Sequence, residues 1–163
     1  MTATYRPTPQ VPALDGMTPL GVSPQKTLEE RVLEWTEGLC DSLTENYKQH
    51  SIRMYQVGDS DYSRKQLESV ENGTWKGTKF VIKNGRKYYK IMQHEYDTYR
   101  DINEYRESSV HAFVDKKTGE VYKPASYNSP AKHVRFDLRI INDRAKLHNP
   151  AYTGWAGGYL YIR

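Results

Sequence analysis

Two strand-like runs on either side of Asn84-Gly85, between Thr78 and Met92, limit the fold of this chain more than any other feature. Asn-Gly is the strongest short-range signal for a two-residue type I′ turn, because both central residues there take positive φ. Such a turn sets a register in which Lys83 opposes Arg86, Ile82 opposes Lys87, Val81 opposes Tyr88, Phe80 opposes Tyr89, Lys79 opposes Lys90 and Thr78 opposes Ile91. Alternate pairs share a face. One face carries Phe80, Ile82, Tyr89 and Ile91, with Thr78 and Lys87 at its margins, and is expected to be core. The other carries Lys79, Lys83, Arg86 and Lys90 around Val81 and Tyr88.

That second face is a cluster of cations with an aromatic ring among them, and no acid occurs between Gly73 and Met92. Like charges directly opposite each other destabilise a sheet by roughly a few tenths to 1 kcal/mol per pair. Either solvent screens them or an anion neutralises them. Lys79, Lys83, Arg86 and Lys90 are therefore candidates to meet phosphates, with Tyr88 placed to stack a base, the combination that suits single-stranded nucleic acid. The whole chain has a net charge of +4 and a pI near 9.0, a mild bias that takes its meaning from this clustering.

The following segment reverses sign, with Glu95, Asp97, Asp101, Glu104 and Glu107 against Arg100 and Arg106. Tyr96, Tyr99, Ile102 and Tyr105 recur at three-residue steps, which predicts a short acidic helix over about 95–107 that could fold over the basic face.

Upstream, Thr27 stands three residues before Glu30 as in a capping box, and Leu28, Val32, Trp35, Leu39, Leu43 and Tyr47 share one helical face. An amphipathic helix is expected from 28 to about 50, within a unit spanning 26–52, with Lys48 and His50 in its last turns and Gly38 marking close packing. Residues 53–57 read as a short strand, and 64–71 as a weak helical stretch among turn residues. Residues 1–25 hold five of the eight prolines and read as an extended arm.

Downstream, Val110–Val114 and Val121–Lys123 form a second predicted hairpin. Asp115 would accept from the turn amides, Gly119 would take a left-handed bulge position, and Pro124 would end the pairing. Asn142 to Pro150 reads as a connection and Tyr159–Ile162 as a terminal strand. The fold class is α+β: a Pro-rich arm, one amphipathic helix, and a small, mostly antiparallel sheet of about five strands within 53–163.

Chemistry is sparse. The five histidines have no metal-ligand spacing, and His111 is expected to be a half-buried structural residue alternating with Phe113. Cys40 lies beside Leu39 and Leu43 with Glu37 and Asp41 nearby, which suits an apolar filler better than a nucleophile. No catalytic residue, metal or cofactor is assigned. No run of apolar residues is long enough to span a membrane, and no secretory signal opens the chain.

Gly85-Arg86-Lys87-Tyr88, the run His111 to Ser126, Pro130-Ala131-Lys132, Val134 to Leu138 and the ending Trp155 to Leu160 resemble small uncharacterised proteins of marine tailed phages, especially those of cyanobacteria. The resemblance covers about residues 78–163. Related proteins often carry Trp where this chain has Tyr127, and the first 77 residues and the acidic segment look like additions to the shared module. The resemblance implies a phage accessory protein working in the host cytoplasm or in the virion, and it supplies no catalytic residue. Two functions follow as expectations: a non-enzymatic binder of nucleic acid or another anionic surface, and a virion component whose arm and helix dock on a phage structural protein.

Overall fold

The computed structural model describes residues 25–161, so the proline-rich arm lies almost wholly outside the described residues. Helix α1 (Leu28–Val57) and helix α2 (Asp61–Asn72) precede strands β1 (Lys79–Asn84), β2 (Tyr88–Asp97), β3 (Glu104–Asp115), β4 (Glu120–Tyr122) and β5 (Phe136–Asp137). A 3₁₀ turn (Tyr99–Asp101) lies between β2 and β3, and helix α3 (Ile141–Leu147) and a second 3₁₀ turn (Gly158–Leu160) follow β5. The strands form one antiparallel sheet in the order β1-β2-β3-β4-β5, so the α+β expectation holds.

Helix α1 starts as its sequence dictates. The Thr27 hydroxyl accepts from the Glu30 amide at 3.2 Å and the Glu30 carboxylate accepts from the Thr27 amide at 2.7 Å. Val32, Leu39, Cys40 and Leu43 are buried against Phe80, Ile91, Ala112, Val114 and Val121 on the helix-facing side of the sheet, with Leu138, Leu147 and Leu160 closing the core. The helix runs past the expected end, through the segment read as a strand, to Val57. Its last turns are anchored by aromatic packing: the Trp75 indole donates to the Tyr55 hydroxyl at 3.4 Å, and Tyr55 meets Tyr62 edge-on. Lys48 and His50 therefore lie in the helix interior and do not complement its terminus. The weak helical stretch is α2, capped by Ser60 at its start and by Gly73 in the left-handed region at its end.

Gly38 does mark close packing. A Cβ built there would lie 2.6 Å from His148 Nε2, the atom that hydrogen-bonds the Trp35 carbonyl at 2.8 Å. Helix α3, read as a connection, thus approaches α1 through its terminal His148. Asn46 ties the same region down, donating to the Pro150 carbonyl at 2.8 Å and accepting from the Trp155 amide at 2.9 Å.

Four further expectations are corrected. The first hairpin does not turn at Asn84-Gly85: Asn84 pairs with Tyr89, the Gly85 amide donates to the Tyr88 carbonyl at 3.0 Å, and no residue from 84 to 88 has positive φ. The tight bend falls on Arg86-Lys87, four positions away in pairing sum. In the observed register Ile82 faces Ile91 and Val81 faces Met92, where the expected register set Ile82 against Lys87. Cross-strand apolar pairing outweighs the local turn preference. The shift is even, so each side chain that stays in the ladder keeps its expected face, while Arg86 and Lys87 move to the bend.

The acidic segment is a two-stranded ribbon of β2 and β3 projecting past β1, in place of a helix, with Tyr96 opposite Tyr105 and their rings edge-on at 5.2 Å. Its tip from Thr98 to Asn103 holds Arg100, Asp101 and Asn103 at positive φ. Bulges at His111 and Ser108 break the alternation of β3, so His111 turns toward Phe80 and Tyr159 while Phe113 faces the other side with Tyr88. In place of the expected C-terminal strand stands the 3₁₀ turn Gly158–Leu160, and Ile162 lies outside the described residues.

The second hairpin follows its sequence. Asp115 Oδ1 accepts from the amides of Lys117 at 2.8 Å and Thr118 at 3.1 Å, and Gly119 has φ 77°. Both outer sheet edges are met by helical side chains: the Phe80 amide of β1 donates to Thr44 Oγ1 at 3.0 Å, and the Asp137 amide of β5 donates to Asp143 Oδ2 at 2.9 Å.

Candidate functional site

The sheet face turned away from α1 carries the cations singled out in the sequence. Lys83 and Lys90 are directly opposite each other on β1 and β2, with Phe113 next across the sheet on β3. Lys79 faces His94, four residues along β1 from Lys83 and so about 13 Å away along the strand. Arg86 is exposed at the bend, outside the strand ladder. The structure thus brings together two of the four cations. The like-charged oppositions expected for Lys79 with Lys90 and for Lys83 with Arg86 are replaced by one, Lys83 with Lys90.

Tyr127, from the segment after β4, resolves that opposition. Its hydroxyl lies 3.1 Å from Lys83 Nζ, which donates to it, and itself donates to Glu107 Oε1 at 3.0 Å. Lys83 also pairs with Glu107 directly at 3.1 Å. This closed triangle raises the Lys83 pKa, chiefly through the Tyr127 hydroxyl and then Glu107, and lowers that of Glu107 through the Lys83 hydrogen bond. Lys90 Nζ stands 4.3 Å from the Tyr127 centroid and donates to Asn128 Oδ1 at 3.3 Å. Lys79 Nζ sits 4.0 Å above the Tyr105 ring. Among the described residues, Lys79, Arg86 and Lys90 make no ion pair.

Tyr88 is a packed residue, edge-on to Phe113 at 5.7 Å and to Tyr122 at 6.0 Å, with Lys87 Nζ 5.3 Å from its centroid. The exposed ring on this face is Tyr127, at 44 % of its free surface. Sequence reasoning found the cations and missed Tyr127 as their partner, because 37 residues separate it from Lys90 and only the sheet brings the two together. It also missed a basic tip: β2 and β3 are antiparallel, so Arg86-Lys87 and Lys116-Lys117 lie side by side, joined by the Lys116 amide donating to the Lys87 carbonyl at 3.1 Å.

The remaining candidates are buried. Burial pushes the Cys40 thiol up to about 12, leaving no thiolate at neutral pH. His111 is held down to about 4 by desolvation and is therefore neutral. Among the described residues no group of three or more acidic, His or Cys side chains is placed to hold a metal, and no helix is long and apolar enough to cross a membrane.

A family model described as a family of unknown function, DUF7717, matches residues 21–162. The chain belongs to DUF7717. The match starts before α1, so both N-terminal helices are part of the DUF7717 unit and not additions to it, in keeping with the core contacts of Val32, Leu39 and Leu43. No curated protein and no solved structure matches the chain.

Proposed function

We propose that this protein binds single-stranded nucleic acid across the sheet face turned away from α1. The observation that carries the reading is the resting place of the free cations. Lys79 and Lys90 lie on the faces of Tyr105 and Tyr127, without a carboxylate partner among the described residues. An exposed ammonium–ring contact is worth about 0.5–1 kcal/mol, so a phosphate can displace the ring at little cost. The freed Tyr127 ring then offers a stacking surface, while Arg86 at the bend meets the backbone on its way across. Lys83 is already paired to Glu107, which leaves Lys79, Arg86 and Lys90 as phosphate contacts. Three such contacts give a log K against log salt slope of about −2 for single strands.

Titration of a fluorescent oligonucleotide at about 50 mM salt tests this, with Lys79→Glu combined with Lys90→Glu as the charge-reversed control. Binding that weakens strongly in the double variant supports the reading. No binding by the wild type, or equal affinity in both, defeats it. The resemblance of residues 78–163 to marine phage proteins supports an accessory role during infection, as the origin we propose.

A second reading, a virion component docking on a phage structural protein, is favoured by the exposed Met54, Val57 and Tyr62 where α1 meets α2. Mass spectrometry of purified particles decides it, since absence from the particle removes it.

A further inference from the structure

Strand β3 has 12 residues, yet β4 covers only two of them, Phe113 opposite Tyr122 and Val114 opposite Val121. Beyond these, Lys123 and Pro124 leave the ladder, with Pro124 bridging to Pro130. Among the described residues, no backbone hydrogen bond reaches residues 104–112 on the side opposite β2. A recess of about 370 Å³ lies along this open edge, lined by Ser109, Val110 and His111 of β3 and closed by Lys123, Trp155 and Tyr161. That volume is within the usual range of ligand sites, about 300–1,000 Å³.

Two unused groups line it. His111 is 8 % exposed, its Nε2 is engaged by Tyr159, and its Nδ1 has no partner among the described residues. The Lys123 ammonium stands 4.9 Å from the Tyr161 ring centroid and meets no carboxylate among the described residues.

We propose that the recess binds the carboxyl-terminal end of an extended peptide, which adds a short strand to the open edge of β3 and sets its terminal carboxylate against Lys123. An unpaired strand edge supplies main-chain donors and acceptors in register for such an addition. The geometry selects the chain end and the direction. Lys123 and Pro124 occupy the next place along the same edge, so a strand entering beside Ser109 to His111 must stop there. A strand parallel to β3 arrives with its C-terminus at Lys123, giving a charge-assisted pair. The opposite direction sets an ammonium against an ammonium. This site shares no residue with the cation row and stands independently of it.

The experiment uses the full-length protein, immobilised, with a randomised tetrapeptide library carrying free C-termini and the same library amidated. Retained peptides are read by mass spectrometry, and amide resonances of Ser109, Val110 and His111 are followed with the best-retained peptide. The expected result is retention of acids at least about tenfold above amides, shifts at those three amides, and loss of both in Lys123→Glu and in Ala156→Trp, which fills the recess from an exposed position. Circular dichroism melting establishes that both variants are folded; should one not fold, the acid-to-amide ratio and the three amide shifts of the wild type carry the test. Equal retention of acids and amides, retention of neither, unmoved amides, or full retention by either folded variant overturns the proposal.

Discussion

Nε2 of His111 lies 2.8 Å from the hydroxyl of Tyr159, their rings stacked at 29° with centroids 5.7 Å apart, so the bulge of β3 and the C-terminal turn meet through one part-buried hydrogen bond. Burial holds His111 down to about 4 and pushes the Tyr159 hydroxyl well above its usual range. Above about pH 6.5 the histidine is neutral in folded and unfolded chains alike, and contributes no pH dependence. As pH falls from about 6.5 to 4 the unfolded state takes up a proton that the folded state refuses, so stability is lost across that window. The loss reaches about 3 kcal/mol. Urea unfolding at pH 7 and at pH 4.5 measures it: the drop in His111→Gln should be smaller than in the wild type, and an equal drop contradicts the assignment.

Gly38 and His148 give a packing prediction. Alanine at 38 favours a helix by about 1 kcal/mol on propensity alone, yet its Cβ would lie 2.6 Å from His148 Nε2 and disturb the bond to the Trp35 carbonyl. Overpacking of this kind costs about 1–3 kcal/mol, so Gly38→Ala should lower the melting temperature. The same change should be neutral or stabilising in a His148→Ser background. A double-mutant cycle with no coupling would rule out this contact.

Glu107 holds Lys83 on an exposed face, where ion pairs add little stability. Glu107→Gln should leave the melting temperature nearly unchanged while releasing Lys83. Oligonucleotide affinity should then rise, and the salt slope should steepen by about 0.7, one more phosphate contact. An affinity that stays the same separates Lys83 from the binding surface.

The bend at Arg86-Lys87 predicts an unusual response at the Asn-Gly pair. Asn84 has no positive φ to protect, so Asn84→Thr should be close to neutral. Gly85→Ala should destabilise, because the added Cβ meets the Tyr88 carbonyl oxygen at 2.8 Å. Chemical denaturation of the two variants distinguishes the observed register from a type I′ turn, in which both changes would be costly.

Features whose chemistry lies within a few residues were legible: the Thr27 and Glu30 box and the Asp115 turn with its left-handed Gly119. Features set by pairing across the sheet were not. Three-residue spacing of Tyr96, Tyr99, Ile102 and Tyr105 imitates a helix, yet Tyr96 and Tyr105 meet across a ladder while Tyr99 and Ile102 are exposed at its tip. Helix α3 has only seven residues and no side-chain cap at Ile140, so it leaves no local signature. Of the candidate site, the cations and their face were readable. The Tyr127 triangle was not, since nothing near Lys83 in the sequence points to residue 127.

The hydroxyl of Thr44 and the carboxylate of Asp143 act as stoppers at opposite margins of the sheet, each occupying a main-chain donor that a neighbouring molecule would otherwise seize. Lateral growth into fibrils needs two complementary free margins per molecule, and α1 and α3 each fill one main-chain donor at the margin they meet. Edge-to-edge association is thereby hindered at β1 and β5, while the open stretch of β3 is bounded where Lys123 and Pro124 leave the ladder.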